Sequence, residues 1–162
     1  MARLLIVHHT TSPSLQALLE AVLDGARTDE VEGVEVVTRP ALGATAVDVL
    51  AADALVLGTP ANIGYMSGAL KHFFDQIYYP CLTDTADLPF GLYVHGNNDT
   101  MGAVRAVESI AKGLSWVRVK PPIEIVGEVT AAHREQCWDL GALGAFAASE
   151  RRGGAQPGRA AS

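Results

Sequence analysis

Short apolar runs alternate with helical stripes along the whole chain, and that alternation leaves few architectures open. Leu4–Val7, Val34–Val37, Ala54–Leu57, Phe90–Val94 and Ile123–Val126 read as strands bounded by turn residues. Between them, Leu15, Leu18, Leu19, Val22 and Leu23 fall at the i, i+3, i+4, i+7, i+8 spacing of one helix face. Leu70, Phe73, Phe74 and Ile77 form a second stripe, which Pro80 is expected to end. Val104, Val107, Ala111 and Leu114 form a third. Thr45–Ala52 suits a short helix, and a weaker, glycine-containing helix is expected over about Thr130–Ala148. Strands that alternate with helices require crossover connections, hence a parallel sheet covered on both faces. The expectation is a three-layer α/β/α sandwich with five parallel strands in the order 2-1-3-4-5. Its switch point lies between strands one and three. Residues 1–149 are read as this one domain. Residues 150–162, rich in Gly, Ala and Arg without periodicity, are read as a disordered tail.

Composition narrows the function. The chain has 162 residues, 49% of them hydrophobic, enough for a core without staples. Its net charge of −6, with no basic stripe, argues against a nucleic-acid partner. No apolar run approaches the ~20 residues of a membrane span, and Met1-Ala2-Arg3 runs into a stretch too short for a secretory signal. Cys81 and Cys137 lack short spacing, so a reduced, cytoplasmic protein is expected. His8, His9, His72, His95 and His133 show no metal-ligand spacing, and no metal is expected.

In the 2-1-3-4-5 order the loops after strands one, three and four converge on one crevice. The first is His8-His9-Thr10-Thr11-Ser12-Pro13-Ser14-Leu15. Ser12 suits an N-cap and Pro13 the first helical position. The N–H groups of Ser14 and Leu15 are then expected to face outward at the positive end of a helix dipole, an anion site for a statically held phosphomonoester. The same hydroxyls would equally serve a plain helix cap. The second loop, Thr59-Pro60-Ala61-Asn62-Ile63-Gly64-Tyr65-Met66, offers backbone, an amide, a ring and a thioether but no lysine and no activated nucleophile. Those groups suit a flat aromatic ligand with polar edges. The third, His95-Gly96-Asn97-Asn98-Asp99-Thr100, offers amides and a helix start, with Asp99 or Thr100 as its cap.

Several chemistries are excluded by what these loops lack. There is no G-x-x-x-x-G-K-[ST] and no G-x-G-x-x-G after the first strand, which removes nucleotide hydrolysis and a dinucleotide fingerprint. Gly64-Tyr65-Met66-Ser67-Gly68 is not a hydrolase elbow. His8-His9 stands where a receiver domain needs an acidic pair.

Gly58-Thr59-Pro60, Gly64 and Ser67-Gly68-x-Leu70-Lys71-x-Phe73-x-Asp75 resemble the flavin-binding segment of flavodoxin-fold NAD(P)H-dependent oxidoreductases, the FMN reductases and WrbA-like quinone reductases. The resemblance extends to about Ala148. It implies a flavodoxin-like fold, FMN as cofactor, and NADH or NADPH as co-substrate. Hydride would pass through FMN to a quinone or similar small acceptor. It places the phosphate at Thr10, Ser12, Ser14 and Leu15, with His9 alongside. The ring lies against Thr59, Pro60, Ala61, Asn62, Ile63, Gly64, Tyr65 and Met66, and the pyrimidine edge faces His95, Gly96, Asn97 and Asn98. Tyr65 is the catalytic candidate, at the entrance where the nicotinamide would stack, unless it only packs on the following helix. Pro13 stands where many members carry glycine. The alternative is an electron-transfer flavodoxin without enzymatic activity, although this second loop lacks the Trp and acidic clusters of such carriers. The aromatics Tyr65, Tyr78 and Tyr79, with Met66, flank the proposed ring and suggest a homodimer interface.

Overall fold

The computed structural model describes residues 1–154. In chain order its elements are β1 (Ala2–His8), α1 (Pro13–Ala26), β2 (Val34–Pro40), α2 (Ala46–Leu50), β3 (Ala54–Asn62) and β4 (Tyr65–Met66). Then come α3 (Gly68–Cys81), β5 (Pro89–Gly96), α4 (Met101–Gly113), β6 (Val117–Arg118), β7 (Ile123–Val126) and α5 (Ala131–Gly154). β2, β1, β3 and β5 pair in parallel in that order, and both β6 and β7 pair in parallel with the outer side of β5. The expected 2-1-3-4-5 order therefore holds, with its fifth position split between two short strands.

The split has a local cause. Val119 donates its N–H to the Phe90 carbonyl at 2.9 Å, but Pro121 and Pro122 follow with no N–H to continue the ladder. Pairing resumes where Tyr93 meets Ile123. The chain also adds a strand the apolar pattern did not mark. β4 turns back antiparallel on the end of β3, with Asn62 opposite Tyr65, so the second loop is a β-hairpin.

Side-chain alternation along the strands builds two cores. Leu4, Ile6, Val56 and Tyr93 face α1 and α5, while Leu5, Val7, Leu55 and Leu57 face α2, α3 and α4. Leu15, Leu18, Leu19 and Val22 are buried, as the spacing of the first stripe requires. α1 and α5 cross closely because glycines stand at the contact. A Cβ on Gly25 would overlap the Trp138 carbonyl, and one on Gly141 would overlap the Val22 carbonyl.

Two helix ends differ from the sequence expectation. α3 does not stop before Pro80 but runs to Cys81. Pro80 removes one donor in the last turn, next to exposed Tyr79, and the fully buried Cys81 side chain holds that turn against the core. α5 continues to Gly154, so residues 150–154 are helical rather than part of a tail. Arg151 and Arg152 lie in its last turn, where cations favour the helix dipole, and Arg152 reaches Asp53 at 3.9 Å. The rest of the expected tail, 155–162, lies outside the described residues. Among the described residues no helix is long and apolar enough to cross a membrane.

Two measurements check this packing. Gly141→Ala should destabilise the fold by about 1–3 kcal/mol, since the added methyl meets backbone. Gly154→Ala, with nothing among the described residues within 4 Å of the new methyl, should leave the urea midpoint almost unchanged. Burial pushes the Cys81 thiol up to about 11 and the Cys137 thiol up to about 12, from 9.0. Both should therefore resist Ellman's reagent at pH 8 until the chain unfolds. The stability that these neutral thiols contribute is complete below pH 9 and is lost as pH climbs through the folded values.

Candidate functional site

The site is set by strand register. His8 lies opposite Gly58, Gly58 opposite Tyr93, Pro60 opposite His95 and Gly96 opposite Val126. The loops that follow β1, β3 and β5 therefore leave the sheet at its carboxyl edge, beside the switch between β1 and its two neighbours.

The first loop is residues 9–12, closed by the start of α1. Ser12 is the N-cap, and its Oγ accepts from the Leu15 N–H at 3.2 Å, with Pro13 at the first helical position. This corrects one detail of the expected anion site. The Leu15 N–H is satisfied inside the protein, and the Leu15 side chain is buried in the core. The N–H groups of Thr10, Thr11, Ser12 and Ser14 have no acceptor among the described residues. The first turn of α1 carries no acidic residue, so nothing there repels an anion. Two histidines stand at the same point. His8 Nδ1 lies 2.7 Å from Thr10 Oγ1. His9 is anchored by its N–H to the Gly58 carbonyl at 3.0 Å, while its Nδ1 is buried with no partner among the described residues. Burial, and then the neighbouring His9, hold His8 below the usual histidine value.

The second loop is rigid at its base and strained at its tip. Thr59 is fully buried, and its Oγ1 accepts from the Ser67 N–H at 3.1 Å and donates to the Pro60 carbonyl at 2.8 Å. Ser67 in turn caps α3 through the Leu70 N–H at 3.1 Å. Thr59, Pro60 and Met66 are buried, and Ala61 is half-buried. Asn62, Ile63, Gly64 and Tyr65 project outward. At the tip Ile63 has φ 51° and Gly64 φ 72°, both left-handed. Glycine adopts that conformation freely, whereas a β-branched residue is strained in it. Ile63 is also fully solvent-exposed.

The third loop begins with two buried residues. His95 Nε2 lies 2.7 Å from the Gly127 carbonyl, which ties the end of β5 to the turn after β7. Gly96 leaves room for Ala61 and the Asp99 backbone. Asn97 and Asn98 are exposed. Thr100 occupies the cap position of α4 without a side-chain cap, and its hydroxyl donates to Glu124 at 2.9 Å. The Met101 N–H goes to Asp99 Oδ1 at 3.0 Å, so the first turn of α4 is already partly satisfied.

Register and close packing join the second and third loops into one wall. A Cβ on Gly102 would overlap the Gly64 carbonyl, so the hairpin tip rests directly on the first turn of α4. Gly102 was not among the sequence candidates. Its signal was a glycine one residue inside a helix, where it lowers helix propensity and implies close approach. Gly58 has a similar role on the opposite face of the sheet. The ring of Tyr93 lies where its side chain would be, fully buried, with a hydroxyl that has no partner among the described residues. The remaining histidines lie outside the site. His72 is exposed on α3, and His133 Nδ1 accepts from the Thr130 N–H at the start of α5. No cluster of three metal-ligating side chains exists among the described residues.

Comparison with known proteins places this architecture. No protein-family model matches the chain. It is 38% identical over 77 residues to a flavodoxin of Aquifex aeolicus (strain VF5), a stretch covering 48% of this chain and 40% of that protein. The match thus spans well under two thirds of the curated relative. Among solved structures, a flavodoxin, WrbA-like protein from Agrobacterium tumefaciens superposes with TM-score 0.74 at 20% identity, covering 93% of this chain and 99% of that one. An archaeal flavodoxin gives TM-score 0.73 at 16% identity over 93% and 99%. The flavodiiron protein from Giardia intestinalis gives TM-score 0.77 at 16% identity, covering 92% of this chain and 36% of that one. Sheet order, layer arrangement and these superpositions agree that the chain has the flavodoxin-like fold.

Proposed function

We propose that this chain binds FMN at the carboxyl edge of the sheet and transfers reducing equivalents from NADH or NADPH to a quinone or similar small acceptor. The observation that carries the reading is the first loop. Four backbone N–H groups, at Thr10, Thr11, Ser12 and Ser14, lack acceptors among the described residues beside the positive end of α1. Next to them lies the buried, unpartnered Nδ1 of His9. A phosphomonoester would satisfy these N–H donors, and the buried His9 nitrogen beside them is a polar atom that such a ligand would partner.

The rest of the edge fits a flat ring. Half-buried Ala61, backed by the buried Pro60, would supply an apolar floor, and the Ser67–Thr59 hydrogen bond fixes it without lending a group to the ligand. Asn62, Asn97 and Asn98 are exposed amides for a polar ring edge, whereas the hydroxyl of Thr59 and the ring of His95 are engaged internally. Bound flavin supplies the two-electron chemistry, and the chain supplies position and electrostatics. Tyr65, exposed beside the wall, would exclude water and orient an incoming nicotinamide. The hairpin could cover only one face of such a ring, so donor and acceptor would use the other face in turn. A second reading, an electron carrier with a separate reductase, is favoured by the identity to a flavodoxin over 77 residues. Tyr79, largely exposed, and Tyr65 are the residues offered for a homodimer that walls the site, while Met66 is buried and contributes none of that surface.

Anaerobic mixing separates the readings. The holoprotein should bleach with NADH or NADPH alone, and failure with both nucleotides would select the carrier. Ser14→Asp should weaken FMN about tenfold or more while leaving riboflavin unaffected, because the new carboxylate faces the phosphate. Equal loss of both ligands would remove the phosphate from this loop. Tyr65→Ala should slow flavin reduction more than it weakens FMN. Loss of FMN with an unchanged reduction rate in the remaining holoprotein would make Tyr65 a packing residue. Sedimentation at micromolar concentration tests the dimer.

A further inference from the structure

We propose that His8 is a positioning residue that sets the direction of the Thr10 hydroxyl proton, and thereby couples capture of the FMN phosphate to a proton on His8. The proposal rests on the reading that FMN phosphate occupies the first loop.

The geometry is a short contact, His8 Nδ1 to Thr10 Oγ1 at 2.7 Å. Such a contact holds one proton between two atoms, and it has two forms. If Nδ1 is bare, the Thr10 hydroxyl donates to it and is turned away from the anion site. If Nδ1 carries its hydrogen, the imidazole donates to Thr10 Oγ1 and the hydroxyl proton is free to point at a phosphate oxygen. Thr10 also brings an N–H without an acceptor among the described residues, so it can offer the anion two donors only in the second form. The doubly protonated ring always adopts that form.

The surroundings make this contact responsive. His8 is half-buried at the last position of β1. Along the chain it meets His9. From β2 its register partner is uncharged Pro40, and the neighbouring Arg39 turns to Asp48 at 3.6 Å. From β3 the partner is Gly58, over which the fully buried Tyr93 of β5 lies, and Tyr93 in turn neighbours the buried Cys137 of α5. α1 offers no acidic residue in its first turn. No carboxylate among these neighbours stabilises the imidazolium, and burial and His9 both disfavour it. In the ligand-free protein His8 is therefore neutral near pH 7. A phosphate that takes the Thr10 proton favours hydrogen on Nδ1, and its negative charge favours the imidazolium as well. By linkage, if the phosphate raises the His8 value, protonated His8 must hold the phosphate more tightly. The phosphate-dependent part of FMN affinity should thus grow as pH falls through the two His8 values, bound and free.

The test is an NMR titration of the His8 ring in three samples: the free protein, the riboflavin complex and the FMN complex. FMN should raise the His8 value by about one unit or more, equivalent to tenfold in affinity, and riboflavin should leave it unmoved. In Thr10→Val the FMN-induced shift should fall to less than half, and Thr10→Ser should restore it. His8→Asn, whose amide can donate to Thr10 and does not titrate, should keep the preference for FMN over riboflavin and leave only the pH dependence of the phosphate itself. Equal shifts with both flavins, no shift with FMN, or a full shift in Thr10→Val would overturn the proposal while FMN binding stands. If FMN binds no more tightly than riboflavin, the phosphate site itself is wrong and the proposal falls with it.

Discussion

The pairing of β1 with β3 is the constraint on which the rest of this protein depends. It places strands that are distant in sequence side by side, with β2 beyond one and β5 beyond the other. Because His8 is level with Gly58, the first loop leaves the sheet beside the part of β3 that runs on into the hairpin. The ladder continues past the strand, through the His9 N–H to the Gly58 carbonyl, and so fixes the start of the first loop to β3 below the hairpin. Both faces of this central pair are sealed, by α1 and α5 on one side and by α2, α3 and α4 on the other. A parallel pair needs that double cover, and here it leaves only the strand ends free for chemistry.

At those ends the protein separates rigidity from exposure. The hydroxyl of Thr59, the capped start of α3 and the imidazole of His95 are spent on holding backbone. Gly102 lets the hairpin tip rest on α4 with no side chain between them, while Gly64 takes the left-handed turn. The groups left outward are amides, an aromatic ring and the strained, solvent-facing Ile63. A turn of this shape favours Asn-Gly, so the isoleucine tip is a local cost that the fold does not explain. The first loop differs in kind. Its donors are backbone N–H groups at a helix start, and its two histidines are held close enough to influence each other and Thr10.

Much of this was legible in the residues. The helical stripe from Leu15 and the Ser12–Pro13 start follow from spacing and side-chain chemistry alone, and each is present. The sheet order follows from alternation and the rules of parallel crossovers. The apolar pattern did not reveal β4, because two residues cannot show a period, nor the split edge, where the signal was only Pro121-Pro122. Pro80 was a misleading stop because a proline near the helix end removes one donor, and burial of Cys81 outweighs that loss. Likewise, weak amphipathicity concealed how far α5 extends toward Gly154.

By itself the sequence determined the alternation of elements, their caps, and the three loops that must share an edge, since these depend on neighbours within a few positions in the chain. Only the tertiary structure decided which members of those loops remain available. Thr59, Leu15, Met66 and His95 are turned inward by contacts that local spacing does not specify. The Thr10, Thr11, Ser12 and Ser14 N–H groups are left without acceptors, and His9 Nδ1 without a partner, among the described residues. The close seating of Gly64 on Gly102, and of Tyr93 over Gly58, was equally a tertiary outcome. The physical reason is that a hydrogen bond or a missing methyl acts across space. A residue's type limits what it can do, and the strand packed against it decides whether the group is already engaged.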